Sequence, residues 1–121
     1  MAGKVLINLT TGMEDAEKVT LAFLVATAAL EQGYDDVVIW TTMEAVRLGL
    51  PGHAVGEACD GCPPLERLFQ QFADGGGKLW LCPICVNSRD LGDAERIPHT
   101  EIVGATPMWE WADDDTTVFS Y

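Results

Sequence analysis

Short apolar runs alternate with longer amphipathic stretches along the chain, separated by Gly, Pro, Asp and Thr. Val5-Leu6-Ile7-Asn8-Leu9 is rich in strand formers and predicts a buried first strand. Thr10-Thr11-Gly12 turns the chain, and Glu14 and Asp15 stand where a helix start favours negative charge. A helix is predicted over 14–32, with Gly33 as its stop. Its apolar residues run around most of its circumference, so it is expected to be covered on most sides. A second strand is predicted over 36–40. A short helix over 43–48 follows, capped by Thr41 or Thr42 and ended by Gly49 and Pro51.

Residues 51–63 read as a loop. A helix over 64–72 places Leu65, Leu68, Phe69 and Phe72 on one side, and Asp74-Gly75-Gly76-Gly77 breaks it. Lys78-Leu79-Trp80-Leu81 predicts a third strand with Cys82 at its end. A short helix from 83 to 90 takes Pro83 at its first position. A fourth strand is expected over 102–105, a helical turn over 106–112 and an edge strand over 116–119, with Asp113-Asp114-Asp115 a solvated turn. Strands alternating with helices predict a single domain over 1–121, a three-layer α/β/α sandwich around a mostly parallel sheet of about five strands, flavodoxin-like in general architecture. In such sheets, sites form at the C-terminal ends of the strands. Thr10-Thr11-Gly12, Thr41-Thr42 and Cys82 all fall there.

Composition narrows the chemistry. The chain has 121 residues, 48% of them hydrophobic, enough for a core that needs no disulfide staples. Seven Lys and Arg against 19 Asp and Glu give a net charge of -12, which speaks against nucleic acid and against an anionic membrane surface. The apolar run over 21–30 is too short to span a bilayer, and residues 1–10 lack a signal-peptide pattern. A cytoplasmic location is expected, where thiols stay reduced. There, paired cysteines point to metal binding or redox chemistry.

The four cysteines, Cys59, Cys62, Cys82 and Cys85, form two C-x-x-C pairs. One reading is a reactive thiol at Cys82. A cysteine that closes a strand and opens a helix faces backbone N–H groups and the positive helix end, which favour thiolate. Cys85 lies one helical turn on and can resolve a persulfide or mixed disulfide. The other reading is zinc held by all four thiolates, because the spacing between the pairs falls within the four-cysteine pattern. Against it, the intervening segment reads as a helix and a core strand. Buried, inert cysteines are the bland reading. A third chemistry is a thioredoxin-like dithiol at Cys82 and Cys85, although that motif usually follows an early strand. On the residues alone, thiol and metal stand level.

Other residues read more plainly. His53 and His99 are lone loop histidines, ordinarily solvated; His53 is the better candidate to join the cysteines. Thr10-Thr11-Gly12 has the look of a phosphate turn, but Glu14 and Asp15 would repel an anion. Glu57 and Asp60 flank the first cysteine pair as loop acids. Trp40 and Trp80 belong to core strands, whereas Trp109 and Trp111 suggest a subunit interface.

The chain resembles the DsrE/DsrF-like family and its TusD- and YchN-type members over nearly its whole length. The resemblance rests on the Lys4-Val5-Leu6-Ile7-Asn8 strand, the helix ending Ala28-Ala29-Leu30-Glu31-Gln32-Gly33-Tyr34, the Val37-Val38-Ile39-Trp40 strand and the Glu44-Ala45-Val46-Arg47-Leu48 segment. Its best local match is Leu81-Cys82-Pro83-Ile84-Cys85-Val86-Asn87-Ser88-Arg89. In that register Cys82 takes the sulfur-accepting position and Arg89 the arginine position; Asp90 stands where a glycine is usual. The resemblance implies a cytoplasmic sulfur carrier or sulfurtransferase-like protein. Cys82 would bear a persulfide, Cys85 and Arg89 would be auxiliary, and no organic cofactor is needed. It also implies a sulfur donor or acceptor protein as partner and assembly into trimers or hexamers. It favours the thiol over the zinc reading.

Overall fold

The computed structural model describes residues 3–121. One sheet of five strands carries the molecule: β1 (Lys4–Leu9), β2 (Asp36–Thr41), β3 (Lys78–Leu81), β4 (Thr100–Ile102) and β5 (Thr116–Ser120). Their order is β4-β3-β2-β1-β5, and every pairing is parallel. The helices are α1 (Ala16–Glu31), α2 (Leu65–Asp74), α3 (Pro83–Ser88) and α4 (Ala105–Trp111), with 3-10 segments over Met13–Asp15 and Met43–Gly49.

The strand order explains which face each helix covers. A crossover between parallel strands is right-handed, so its direction across the sheet fixes its face. The chain steps from β1 to β2, β3 and β4 in one direction. The main core accordingly gathers residues of α1, α2 and α3 on one side, against Ile7, Leu9, Ile39, Leu79 and Leu81. Phe23 stacks on Phe69 with ring centroids 4.1 Å apart and meets Phe72 edge-on at 5.4 Å. The return from β4 to β5 runs the opposite way and puts α4 on the other face. There Met108 and Trp111 cover Leu6, Val38, Trp80 and Val103.

Trp111 belongs to this second core rather than to a free surface. Its ring meets Trp80 edge-on at 5.2 Å, and its Nε1 donates to Asp36 Oδ2 at 2.9 Å. Lys4 Nζ donates to the Trp111 carbonyl at 2.6 Å and pairs with Asp113 at 3.1 Å. The Asp113 carboxyl is held below the usual range, chiefly by its hydrogen bond with Lys4. The acidic turn is thus tied to the start of β1 as well as solvated. Trp109, by contrast, is 72% exposed.

Three expectations change in detail. Helix α1 buries Val19, Thr20, Ala22, Phe23 and Ala26 but leaves Leu21 45% and Leu24 42% exposed. Apolar residues on every side of a helix gave no directional signal, and the sheet covers only one side. The strand expected over 102–105 lies two residues earlier, because Gly104 caps α4 by accepting from Met108 N. The segment after β2 is a 3-10 helix without a side-chain cap. Thr41 Oγ1 is directed to the Trp80 carbonyl at 2.8 Å instead, and Met43 takes a left-handed φ of 55°.

Gly77, just before β3, lies against the ring of Phe72, where a Cβ would overlap the ring atoms. Gly77→Ala is expected to destabilise the fold by about 1–3 kcal/mol through overpacking. Urea unfolding read by circular dichroism measures it.

Candidate functional site

Because all strands run one way, their C-terminal ends share one rim. Cys82 stands on it between β3 and α3. Its N–H donates to the Thr41 carbonyl at 2.9 Å, so β2 fixes its backbone, and its carbonyl accepts the first α3 bond from Val86 N at 3.0 Å. Pro83 fills the first helical position and brings no N–H. No side chain caps the helix, so the first amide donors there are those of Ile84 and Cys85. Cys82 and Cys85 are both free thiols, each half-buried against the main core. Between them Ile84 points outward, 77% exposed.

Arg89 closes the far end of α3. Its Nη1 donates to the Cys85 carbonyl at 3.3 Å and to Ser88 Oγ at 3.1 Å, and its Nε donates to Glu44 Oε1 at 2.9 Å. Glu44 also accepts from Arg47 Nε at 2.8 Å. One carboxylate therefore joins the 3-10 segment Met43–Gly49 to α3. The hydrogen bonds from Arg89 and Arg47 hold its carboxyl below the ordinary glutamate value. Sequence reasoning found Arg89 but missed Glu44. The Glu44–Arg47 spacing was readable as a helical pair; the bond to Arg89, 45 residues away, was not. Asp90, just past the end of α3, adopts a left-handed φ of 56°.

Cys59 and Cys62 form a disulfide in the loop before α2. The zinc reading required all four thiolates on one ion. The structure instead joins the first pair to itself and leaves the second free, and no three His, Cys, Asp or Glu gather to hold a metal among the described residues. Glu57 and Asp60 are exposed, as expected of loop acids.

Neither histidine side chain bonds a cysteine among the described residues. His99 lies edge-on to Phe72, 6.2 Å between centroids, and burial pushes its imidazole below the ordinary histidine value. It lines an apolar cavity of about 240 Å³ with residues of α2 and the loop after Gly49, and none of the four cysteines reaches that cavity. At the Thr10-Thr11-Gly12 turn, the Gly12 amide donates to Glu14 Oε1 at 2.7 Å, so a carboxylate already occupies the place an anion would take. No helix among the described residues is long and apolar enough to cross a membrane.

The family model for the DsrE/DsrF-like family matches residues 3–121. The structure is similar to that of the ychN protein from E. coli, with a TM-score of 0.81 and 20% identity, covering 98% of this chain and 99% of that one. No curated protein matches the sequence significantly. The chain belongs to the DsrE/DsrF-like family.

The lowered Glu44 carboxyl has a consequence for pH. A group whose folded pKa lies below its unfolded one adds stability above the unfolded value and loses it as pH falls through the folded value. Glu44→Gln is therefore expected to melt below wild type at neutral pH, and the two curves should converge in acid. Thermal melts from about pH 7 to about pH 3 check this.

Proposed function

We propose that this member of the DsrE/DsrF-like family is a sulfur carrier whose Cys82 accepts sulfane sulfur as a persulfide. The observation that carries the reading is a free, half-buried thiol at the β3–α3 junction, held there by the Thr41 carbonyl. The Cys82 thiolate attacks the outer sulfur of a donor persulfide. A Cys82 S–S bond forms, the donor's S–S bond breaks, and the donor leaves as a thiol. An acceptor thiolate then takes the outer sulfur and returns Cys82 to thiolate. Cys85 is the auxiliary thiol; by attacking Cys82 Sγ it would release hydrosulfide and leave a Cys82–Cys85 disulfide. Arg89 acts as a positioning residue, since it ties the α3 end to Glu44. No organic cofactor enters these steps. Exposed Ile84 and Met43 offer apolar contact to a protein donor or acceptor at this rim.

Incubation with polysulfide followed by intact-mass spectrometry tests the reading. One adduct of about 32 Da, a single sulfur, is expected on the native protein and absent from Cys82→Ser. Adduct retained in that variant moves the acceptor elsewhere.

The same reading includes self-assembly, as the resemblance implied. Leu21 and Leu24 are neighbours on the outer side of α1, and they and Trp109 are uncovered. Light scattering is expected to give three or six times the 13.1 kDa chain mass. A strict monomer rejects assembly while leaving the Cys82 test intact.

A further inference from the structure

The second cysteine pair has a geometry of its own. Cys59-Asp60-Gly61-Cys62 is a tight turn: Cys62 N donates to the Cys59 carbonyl at 3.0 Å, and Gly61 takes the left-handed φ of 78° its third position demands. The base of the loop is closed by Leu65 N to the Glu57 carbonyl at 3.0 Å and Glu57 N to the Ala54 carbonyl at 3.2 Å. These backbone bonds hold the two Cα atoms 5.1 Å apart, inside the disulfide range. The bonds that set this spacing are backbone bonds and do not involve the sulfurs. A bridge closing so short a loop constrains the unfolded chain little, and a domain with this core does not need it. A structural staple is thus a poor account of the pair.

The two sulfurs also differ. Cys59 Sγ lies 3.6 Å from Oγ1 of Thr20, a residue buried in α1. That hydroxyl also donates to the Ala16 carbonyl at 2.7 Å. Among the described residues, Cys62 Sγ meets only the Asp60 carbonyl, an acceptor, at 3.8 Å. A thiolate forming at Cys59 can draw the Thr20 proton from the Ala16 carbonyl; one forming at Cys62 has no such donor.

We infer that Cys59–Cys62 is a reversible thiol–disulfide exchange centre for dithiols, with Cys62 as the attacked sulfur and Cys59 as the leaving sulfur, received by Thr20. A dithiol's thiolate attacks Cys62 Sγ. The bond between the two cysteines breaks, and Cys59 leaves with the electron pair. The dithiol's second thiolate then attacks the mixed disulfide and releases Cys62. The dithiol is oxidised to a cyclic disulfide, the protein disulfide is reduced to two thiols, and the dithiol's two protons pass to Cys59 and Cys62. Glu57 and Asp60 beside the pair favour uncharged dithiols over anionic ones.

The inference stands independently of Cys82, and the test removes that residue. The Cys82→Ser/Cys85→Ser chain is equilibrated in native buffer with mixtures of reduced and oxidised dithiothreitol, alkylated and weighed. Two thiols are expected to appear and disappear together, with one midpoint from both directions and an unchanged circular dichroism spectrum. Reduction only after denaturation overturns the inference. Thr20→Val in this background is expected to slow reduction about tenfold, the effect of one hydrogen bond to a charged sulfur, and Thr20→Ser to restore it. Equal rates in all three overturn the role of Thr20. Should Thr20→Val not fold, the polarity is read by brief reaction of the double-serine chain with a monothiol, acid quench and peptide mapping of the mixed disulfide. The monothiol is expected on Cys62; equal labelling of the two cysteines, or labelling on Cys59, overturns the assignment.

Discussion

Every strand in the sheet runs parallel to its neighbours, and a parallel neighbour can be reached only by a crossover. Most of the molecule follows from that requirement. All strands end at one rim, so residues far apart in sequence meet there: Thr10 after β1, Thr42 and Met43 after β2, Cys82 after β3 and Gly104 after β4. The handedness of the crossovers then divides the helices between the faces. Three steps in one direction build the phenylalanine-rich core, and the single return step builds the tryptophan-rich one.

The parts of this arrangement legible in the sequence are those with a strong local signal. β1, β2 and β3 are dense apolar runs because most of their residues are covered on both faces of the sheet, as parallel strands are. The cysteine at the end of β3, with proline opening the next helix, was legible for the same reason. β4 was misplaced because its three residues are half-buried or exposed at the sheet edge and carry no period, while Gly104 could equally be read as strand or cap. The one-sided covering of α1 was hidden because Leu21 and Leu24 look like core residues. The Glu44–Arg89 and Thr20–Cys59 contacts join segments brought together only by the crossovers, and no spacing rule reaches that far.

The two C-x-x-C segments make a comparison within one chain. Both have the spacing that suggested a shared zinc site. Around Cys82 and Cys85 the backbone is helical with proline at its start, and the sulfurs remain separate thiols. Around Cys59 and Cys62 the backbone is a glycine-bearing turn, and the sulfurs join. The same four-residue pattern is compatible with either backbone; proline and glycine at different places within it decide which one forms.

The division of aromatic residues between the two faces has an optical consequence. Trp40, Trp80 and Trp111 all pack in the α4 layer, and Trp109 sits on the outside of the same helix. The core beneath α1 and α2 contains Phe23, Phe69 and Phe72 and no tryptophan among its buried residues. Intrinsic tryptophan emission therefore reads one side of the sheet: undocking of α4 would change it strongly, whereas loosening of the phenylalanine side would pass almost unseen.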